Sequence, residues 1–251
     1  SIKMTTASPP QTQINSVIAL YSNGRIKEAL NRVEALIKDY PNEPLLYNIS
    51  GVCYKAIGQL DAAVKSFEKA LSIKPDYIEA YYNLGVTLKE LGQLDAAVES
   101  YKKALALKPD YTDAHYNLGN AFKELGQLDD AIKSYKKAVV VEPGHANAHN
   151  NLGNALSDLG QLDDAVKSYK KAVAVKPDYA VAHNNLGVTF KDLDQLDAAI
   201  KCYEKALAIK PDYVEAYRNL GNIMKRLKRL DEALASYESA IALDPDLDYL
   251  L

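Results

Sequence analysis

The chain has 251 residues, 48% of them hydrophobic and 25% charged, with a formal net charge of −3 and acids interspersed with bases. That balance describes a folded, water-soluble chain with no basic field for nucleic acid or anionic lipid. No apolar run approaches the roughly 18 residues of a membrane span, and SIKMTTASPPQTQ lacks the hydrophobic stretch of a signal peptide.

Residues 1–9 read as a tag or linker segment, with Met4 a natural start or junction. A period follows, set by proline. Pro41, Pro75, Pro109, Pro143, Pro177, Pro211 and Pro245 recur every 34 residues. With this proline at position 32, seven repeats span 10–43, 44–77, 78–111, 112–145, 146–179, 180–213 and 214–247. Residues 248–251 read as the start of a truncated following helix.

Within each repeat, positions 1–14 carry apolar residues at 3, 4, 7, 8, 11 and 14, one broad face at helical period. This predicts a first helix, A. Positions 15–18 read GQLD at 58–61, 92–95, 126–129 and 160–163. The glycine supplies the positive φ that ends helix A, and the aspartate suits the start of a second helix, B. Helix B closes near position 31, because the coming proline disfavours α conformation in the residue before it. Small residues recur at position 8 (Gly51, Gly85, Gly119, Gly153, Gly187, Gly221), at position 20 (Ala63, Ala97) and at position 27 (Ala70, Ala104), and they let helices approach closely. Position 24 is Phe67 or a tyrosine from the third repeat on. Repeat 1 departs from the pattern with Gln13 at position 4 and Val17 at position 8, and Asp194 and Lys228 replace the turn glycine.

These features resemble the tetratricopeptide repeat (TPR), whose 34-residue helix–turn–helix pattern they follow over essentially the whole chain. The resemblance implies an all-α, right-handed superhelical solenoid of stacked helical pairs, with helix A lining the concave surface. Repeats such as AHNNLGNALSDLGQLDDAVKSYKKAVAVKPDY look most like the arrays that precede the catalytic domain of O-GlcNAc-transferase-like glycosyltransferases.

Opposite the apolar face of helix A lies a stripe at positions 2, 6, 9 and 13, flanked by 5 and 12. Position 6 is Asn83, Asn117, Asn151, Asn185 and Asn219, and position 9 adds Asn120, Asn154 and Asn222. Asparagine is a mediocre helix former, so this recurrence asks for a reason. An amide offers one donor group and one acceptor, the complement of a peptide backbone. With repeats about 10 Å apart and an extended chain rising about 3.3 Å per residue, each rung meets every third ligand residue. The other reading has position 6 bonding across to the neighbouring repeat, and the two are compatible. Asn48, Asn150 and Asn184 at position 5 extend the ladder along its edge.

Acids mark the same groove at Glu79, Asp113, Glu90, Glu124, Asp158, Asp192 and Glu215, and Lys89, Lys123, Lys191 and Lys225 stand along one edge. Repeat 2 replaces the polar stripe with Leu45, Ile49 and Val52, either an apolar pocket or a surface covered by the segment around Ile2 and Met4.

Other chemistries are not supported. The two-carboxylate clamp of another TPR class needs Lys at positions 5 and 2 and Arg at 6, which no repeat supplies. His115, His149 and His183 fall one repeat apart and cannot share an ion whose ligands lie about 2 Å away. No nucleophile–base pair or Gly-rich phosphate loop appears, so the chain reads as non-enzymatic and without cofactor. Cys53 and Cys202 lie several repeats apart, too far to bridge, and fit a reduced cytoplasmic compartment. Cys202 is expected on the outer side of helix B. The sequence therefore predicts a scaffold that binds a protein or extended peptide, with no nucleic-acid partner and no membrane insertion. Two alternatives are the substrate-recruiting arm of a glycosyltransferase and a scaffold that self-associates through its open ends.

Overall fold

The computed structural model describes residues 8–251, so the suggested covering of repeat 2 by Ile2 and Met4 lies outside the described residues. The chain divides into two compact units, Ser1–Gln127 and Leu128–Leu251. The N-terminal unit holds α1 (Gln11–Ser22), α2 (Ile26–Asp39), α3 (Pro44–Ala56), α4 (Leu60–Ile73), α5 (Ile78–Glu90), α6 (Leu94–Leu107) and α7 (Thr112–Glu124). The C-terminal unit holds α8 (Leu128–Val141), α9 (Ala146–Asp158), α10 (Leu162–Val175), α11 (Ala180–Asp192), α12 (Leu196–Ile209), α13 (Val214–Arg226) and α14 (Leu230–Leu243). A 3-10 helix at Pro245–Leu250 follows, its Leu250 packed against the core around Ile223 and Met224. Among the described residues there is no strand, and no helix is long and apolar enough to cross a membrane.

The architecture is the all-α solenoid of stacked helical pairs that the period predicts. Within each unit an A helix packs on its own B helix, and that B helix packs on the next A helix. Successive A helices also touch directly, α3 on α5 and α5 on α7 in the first unit, α9 on α11 and α11 on α13 in the second.

Each pair closes through one contact. A Cβ built on Gly153 would lie 2.6 Å from the Tyr169 ring, and one on Gly221 would lie 2.6 Å from Tyr237. Gly51 meets Phe67 in the same way, at 2.5 Å. Position 8 is therefore glycine because the ring at position 24 occupies the volume of its missing side chain. Repeat 1 solves the same packing differently. Its Val17 and Val33, at positions 8 and 24, are both buried in one core cluster, so a side chain gained on helix A is matched by a ring lost on helix B.

Helix A ends in a Schellman motif. In repeat 3 the N–H of Gly92 bonds the carbonyl of Lys89 and that of Gln93 bonds Leu88, with Gly92 at φ 78°. Asp194 (φ 60°) and Lys228 (φ 59°) adopt the same left-handed backbone and keep the same pair of bonds. The turn is thus preserved and the residue is strained. At its start, helix A is tied to the preceding loop by position 4. The Nε2 atoms of His115, His149 and His183 lie 2.7, 2.7 and 2.9 Å from the carbonyls of Pro109, Pro143 and Pro177, and the Tyr47 hydroxyl donates to that of Pro41.

Two stability predictions follow from this geometry. Gly221→Ala gains about 1 kcal/mol of helix propensity, but overpacking of this kind costs about 1–3 kcal/mol, and the Tyr237 ring is buried with its hydroxyl held by Asn222, so it cannot swing away freely. A net loss of stability in urea denaturation is expected. Lys228→Gly relieves a left-handed residue that costs about 1–2 kcal/mol in an L-amino acid, and it is expected to raise the denaturation midpoint.

Candidate functional site

Position 6 sits where successive A helices touch. In the N-terminal unit Asn83 Nδ2 donates to Asn48 Oδ1 at 3.1 Å, and Asn117 Nδ2 donates to the Tyr82 hydroxyl at 3.0 Å. In the C-terminal unit Asn185 donates to Asn150 at 3.1 Å, and Asn219 donates to Asn184 at 3.2 Å. Each time the acceptor is position 5 of the preceding repeat. Position 5 is consequently not a groove edge, as the sequence suggested. Asn150 is 4% exposed and Asn184 is 0% exposed, because this position faces the next A helix. The inter-repeat reading of position 6 is present in the geometry, and it uses only half of the amide. In Asn83, Asn185 and Asn219 the half-buried side chain keeps an Oδ1 that accepts nothing from the described residues.

Position 9 has the opposite arrangement. Asn154 Oδ1 accepts from the Tyr169 hydroxyl at 2.5 Å and from Asn185 Nδ2 at 3.3 Å, and Asn222 Oδ1 accepts from Tyr237 at 2.6 Å. The carbonyl end is occupied and the NH₂ end is left over. Neighbouring rungs thus present an acceptor at position 6 and a donor at position 9, both held in place by their other ends. Asn120 and Asn151 are likewise half-buried and held by partners.

The hydroxyl at position 24 is the part that sequence reading missed. Where position 9 is Val86 or Val188, the buried hydroxyls of Tyr101 and Tyr203 find no partner. Where position 9 is Val52, position 24 is Phe67 and there is no hydroxyl to satisfy. Every Asn at position 9 has a Tyr at position 24, and that was the available signal, weakened by the two Val–Tyr repeats. Burial pushes the phenols of Tyr101, Tyr169 and Tyr203 well above the ordinary tyrosine pKa.

The acids at Glu79, Asp113, Glu124 and Asp158 are exposed. Lys55 pairs with Glu90 at 3.1 Å and Lys89 with Glu124 at 3.1 Å, so two groove-edge lysines spend their charge on the next repeat. Leu45 and Ile49 pack against the core cluster of repeats 1 and 2, and Val52 is half-buried, so this stripe is tied into the repeat packing. Cys202 is buried, not outward-facing. Position 23 lies one turn from positions 20 and 27 and shares their packed face, where other repeats place a buried serine such as Ser134 or Ser168. Burial pushes the Cys202 thiol up to about 11, so it stays protonated and a poor nucleophile at neutral pH.

A family model described as TPR repeat matches residues 51–92, 87–126, 119–160, 153–194 and 189–228, and a second, tetratricopeptide repeat, matches 214–247. The crystal structure of MamA is 30% identical over 65% of this chain and 95% of its own, with a TM-score of 0.63. YrrB, described as a TPR protein with an unusual peptide-binding site, is 24% identical over 73% of this chain and 95% of its own, with a TM-score of 0.65. The C-terminal part of a TPR repeat-containing protein from Cytophaga hutchinsonii is 22% identical, covers 94% of this chain and 97% of its own, and has a TM-score of 0.79. No curated protein matches significantly.

The unequal partners of the position 24 hydroxyl give a paired test. Tyr237→Phe removes a hydrogen bond and is expected to cost about 1 kcal/mol. Tyr203→Phe removes a buried hydroxyl that bonds nothing and is expected to be neutral or stabilising. Equal losses in thermal denaturation would contradict the assignment.

Proposed function

Because the chain belongs to the tetratricopeptide repeat family, we propose that it is a protein-interaction scaffold holding an extended polypeptide against the amide-lined faces of its A helices. The array is taken as residues 10–247. The observation that carries this reading is the division of labour between Asn185 and Asn154. One leaves a carbonyl oxygen and the other an amino group at the surface, and each is fixed through its opposite end. A peptide unit carries the matching N–H and C=O, so such a pair recognises backbone and is indifferent to side chains. Fixing the amides beforehand lowers the ordering cost of binding. Asn83, Asn117, Asn219 and Asn222 are the equivalent rungs, and Asn120 and Asn151 continue the ladder at the same positions. Glu79, Asp113, Glu124 and Asp158 supply the flanking charge that biases ligand choice. Two buried free thiols, Cys53 and Cys202, favour a reducing, cytoplasmic setting.

A second reading makes the same faces the recruiting arm of a glycosyltransferase. It is favoured by the amide ladder together with the GQLD-type repeats, and it adds a catalytic domain to the same binding mode. A coding sequence that continues into a transferase domain supports it, and one that ends without such a domain overturns it.

The polypeptide-binding reading is tested by Asn154→Asp with Asn222→Asp. A carboxylate still accepts from Tyr169 and Tyr237, so the fold is retained, but the surface NH₂ groups are gone. Capture of a mixed pool of unstructured peptides is expected to fall about tenfold, the loss of roughly 1.4 kcal/mol, with the melting temperature nearly unchanged. Undiminished capture by the folded variant would sink the proposal.

A further inference from the structure

The net charge of −3 conceals a segregation of sign. On the outer helices of the C-terminal unit the segments KSYKK (133–137), KSYKK (167–171) and KCYEK (201–205) place exposed lysines on successive turns, with Glu204 the one acid among them. The other acids of these helices are gathered in the first turn, at Asp129, Asp130, Asp163, Asp164 and Asp197, where Asp164 meets Lys167 at 3.9 Å and leaves Lys170 and Lys171 beyond its reach. Beside the lysines runs a line of exposed aliphatic side chains: Val140 at 78%, Val141 at 42%, Val175 at 44% and Ile209 at 37%. A polar solvent-facing surface has no use for apolar residues recurring at positions 29 and 30 of consecutive repeats.

Between α10 and α12 this surface is hollowed into an open groove of about 490 Å³. Its floor is Val173, Ala174, Pro177, Ala208 and Ile209, and Lys170 and Lys205 stand over it. The volume falls within the range of roughly 300–1,000 Å³ that seats a ligand. Lys170 is steadied by the Phe190 ring, 5.7 Å from Nζ to its centroid. His183 closes the inner wall, its Nε2 engaged with the Pro177 carbonyl.

We propose that the outer face of α8, α10 and α12 is a second docking surface, distinct from the amide-lined face, for an acidic protein segment. An apolar side chain of that segment seats in the α10–α12 groove, and flanking carboxylates meet Lys170 and Lys205. Charge complementarity selects the partner. A cationic rim over an apolar floor attracts an anionic amphipathic chain and repels a basic one. A concave groove with an aliphatic floor fits a side chain better than a bilayer, since the strip carries none of the aromatic residues that settle at a membrane interface. The two surfaces together would let one chain hold an extended polypeptide and an acidic partner at once.

The test uses the full chain and a synthetic amphipathic peptide of glutamate, alanine and leucine, with a lysine-for-glutamate counterpart as control. Fluorescence anisotropy is expected to show tighter binding of the acidic peptide than of its basic counterpart, weakening as salt rises. Lys170→Glu with Lys205→Glu is expected to weaken it about tenfold or more, and Ile209→Ser is a second, milder variant in case the first does not fold. Asn154→Asp with Asn222→Asp should leave this binding unchanged, which separates it from the amide-lined face. No binding of the acidic peptide, equal binding of its basic counterpart, or indifference to charge reversal would overturn the proposal. So would binding only to vesicles of phosphatidylserine and phosphatidylcholine.

Discussion

Gly153 lies so close under the Tyr169 ring that a single added carbon would sit 2.6 Å from it, and the same holds where Gly221 meets Tyr237 and Gly187 meets Tyr203. This approach fixes how near the two helices of a repeat come to each other. It thereby fixes where the rest of helix A points. With position 8 pressed against the ring, position 5 turns toward the next A helix, position 6 toward the preceding one, and position 9 comes to lie above the tyrosine hydroxyl. The amide network is therefore a consequence of the glycine–ring contact and has no independent geometry. Repeat 1 supports this from the other side. Having exchanged the glycine and ring for Val17 and Val33, it has Ile18 at position 9 and no hydroxyl to serve.

The asparagines consequently do two kinds of work at once. Position 6 bridges repeats through Nδ2, and position 9 satisfies a buried phenol through Oδ1. A buried hydroxyl left unpaired costs about 1–3 kcal/mol, enough to justify a mediocre helix former at position 9 on structural grounds alone. Tyr101 and Tyr203 show that the chain tolerates the unpaired state in two repeats, where Val86 and Val188 stand above them. The apolar and polar alternatives at position 9 then leave different surfaces, an NH₂ group in some repeats and an aliphatic side chain in others. Binding chemistry is written in the leftover halves of groups whose first task is to hold the array together.

Much of this was legible beforehand. The proline period, the Gly turn and the apolar stripe place the helices, because each is a local rule acting within one repeat. Asp194 and Lys228 stood out as replacing the turn glycine, and they adopt its left-handed backbone. What could not be read from one repeat was which neighbour each polar group meets. Position 5 looked like a groove edge but bonds to the next A helix, half-buried at Asn48 and sealed at Asn150 and Asn184. Cys202 looked outward and is packed, although the buried serines at the same position in other repeats mark it as part of the seam. The pairing of position 9 with position 24 joins two helices across 15 residues, and the sequence marks it only weakly, since every Asn at position 9 has a Tyr at 24 but Val86 and Val188 do too.

Charge illustrates the same limit on another scale. Interspersed acids and bases along the sequence suggested a surface without a field, yet the helical period sorts them. Residues three and four apart share a face, so the repeated K–S–Y–K–K segments put their lysines on the outside of α8 and α10 while the ring between them goes to the core. The acids of the same helices are drawn to the first turn, where the helix dipole favours them. On the A helices the position 12 lysines Lys55 and Lys89 are answered by acids of the next repeat, Glu90 and Glu124, and Lys191 by Asp192 of its own helix, so their field is quenched. Beyond the first turn the lysines of α8, α10 and α12 have one acid among them, Glu204, so three consecutive repeats extend the strip, and α14, which carries no lysine, ends it. A repeat protein multiplies whatever imbalance its unit carries on a given face, so a small bias in one 34-residue unit becomes a surface with a sign.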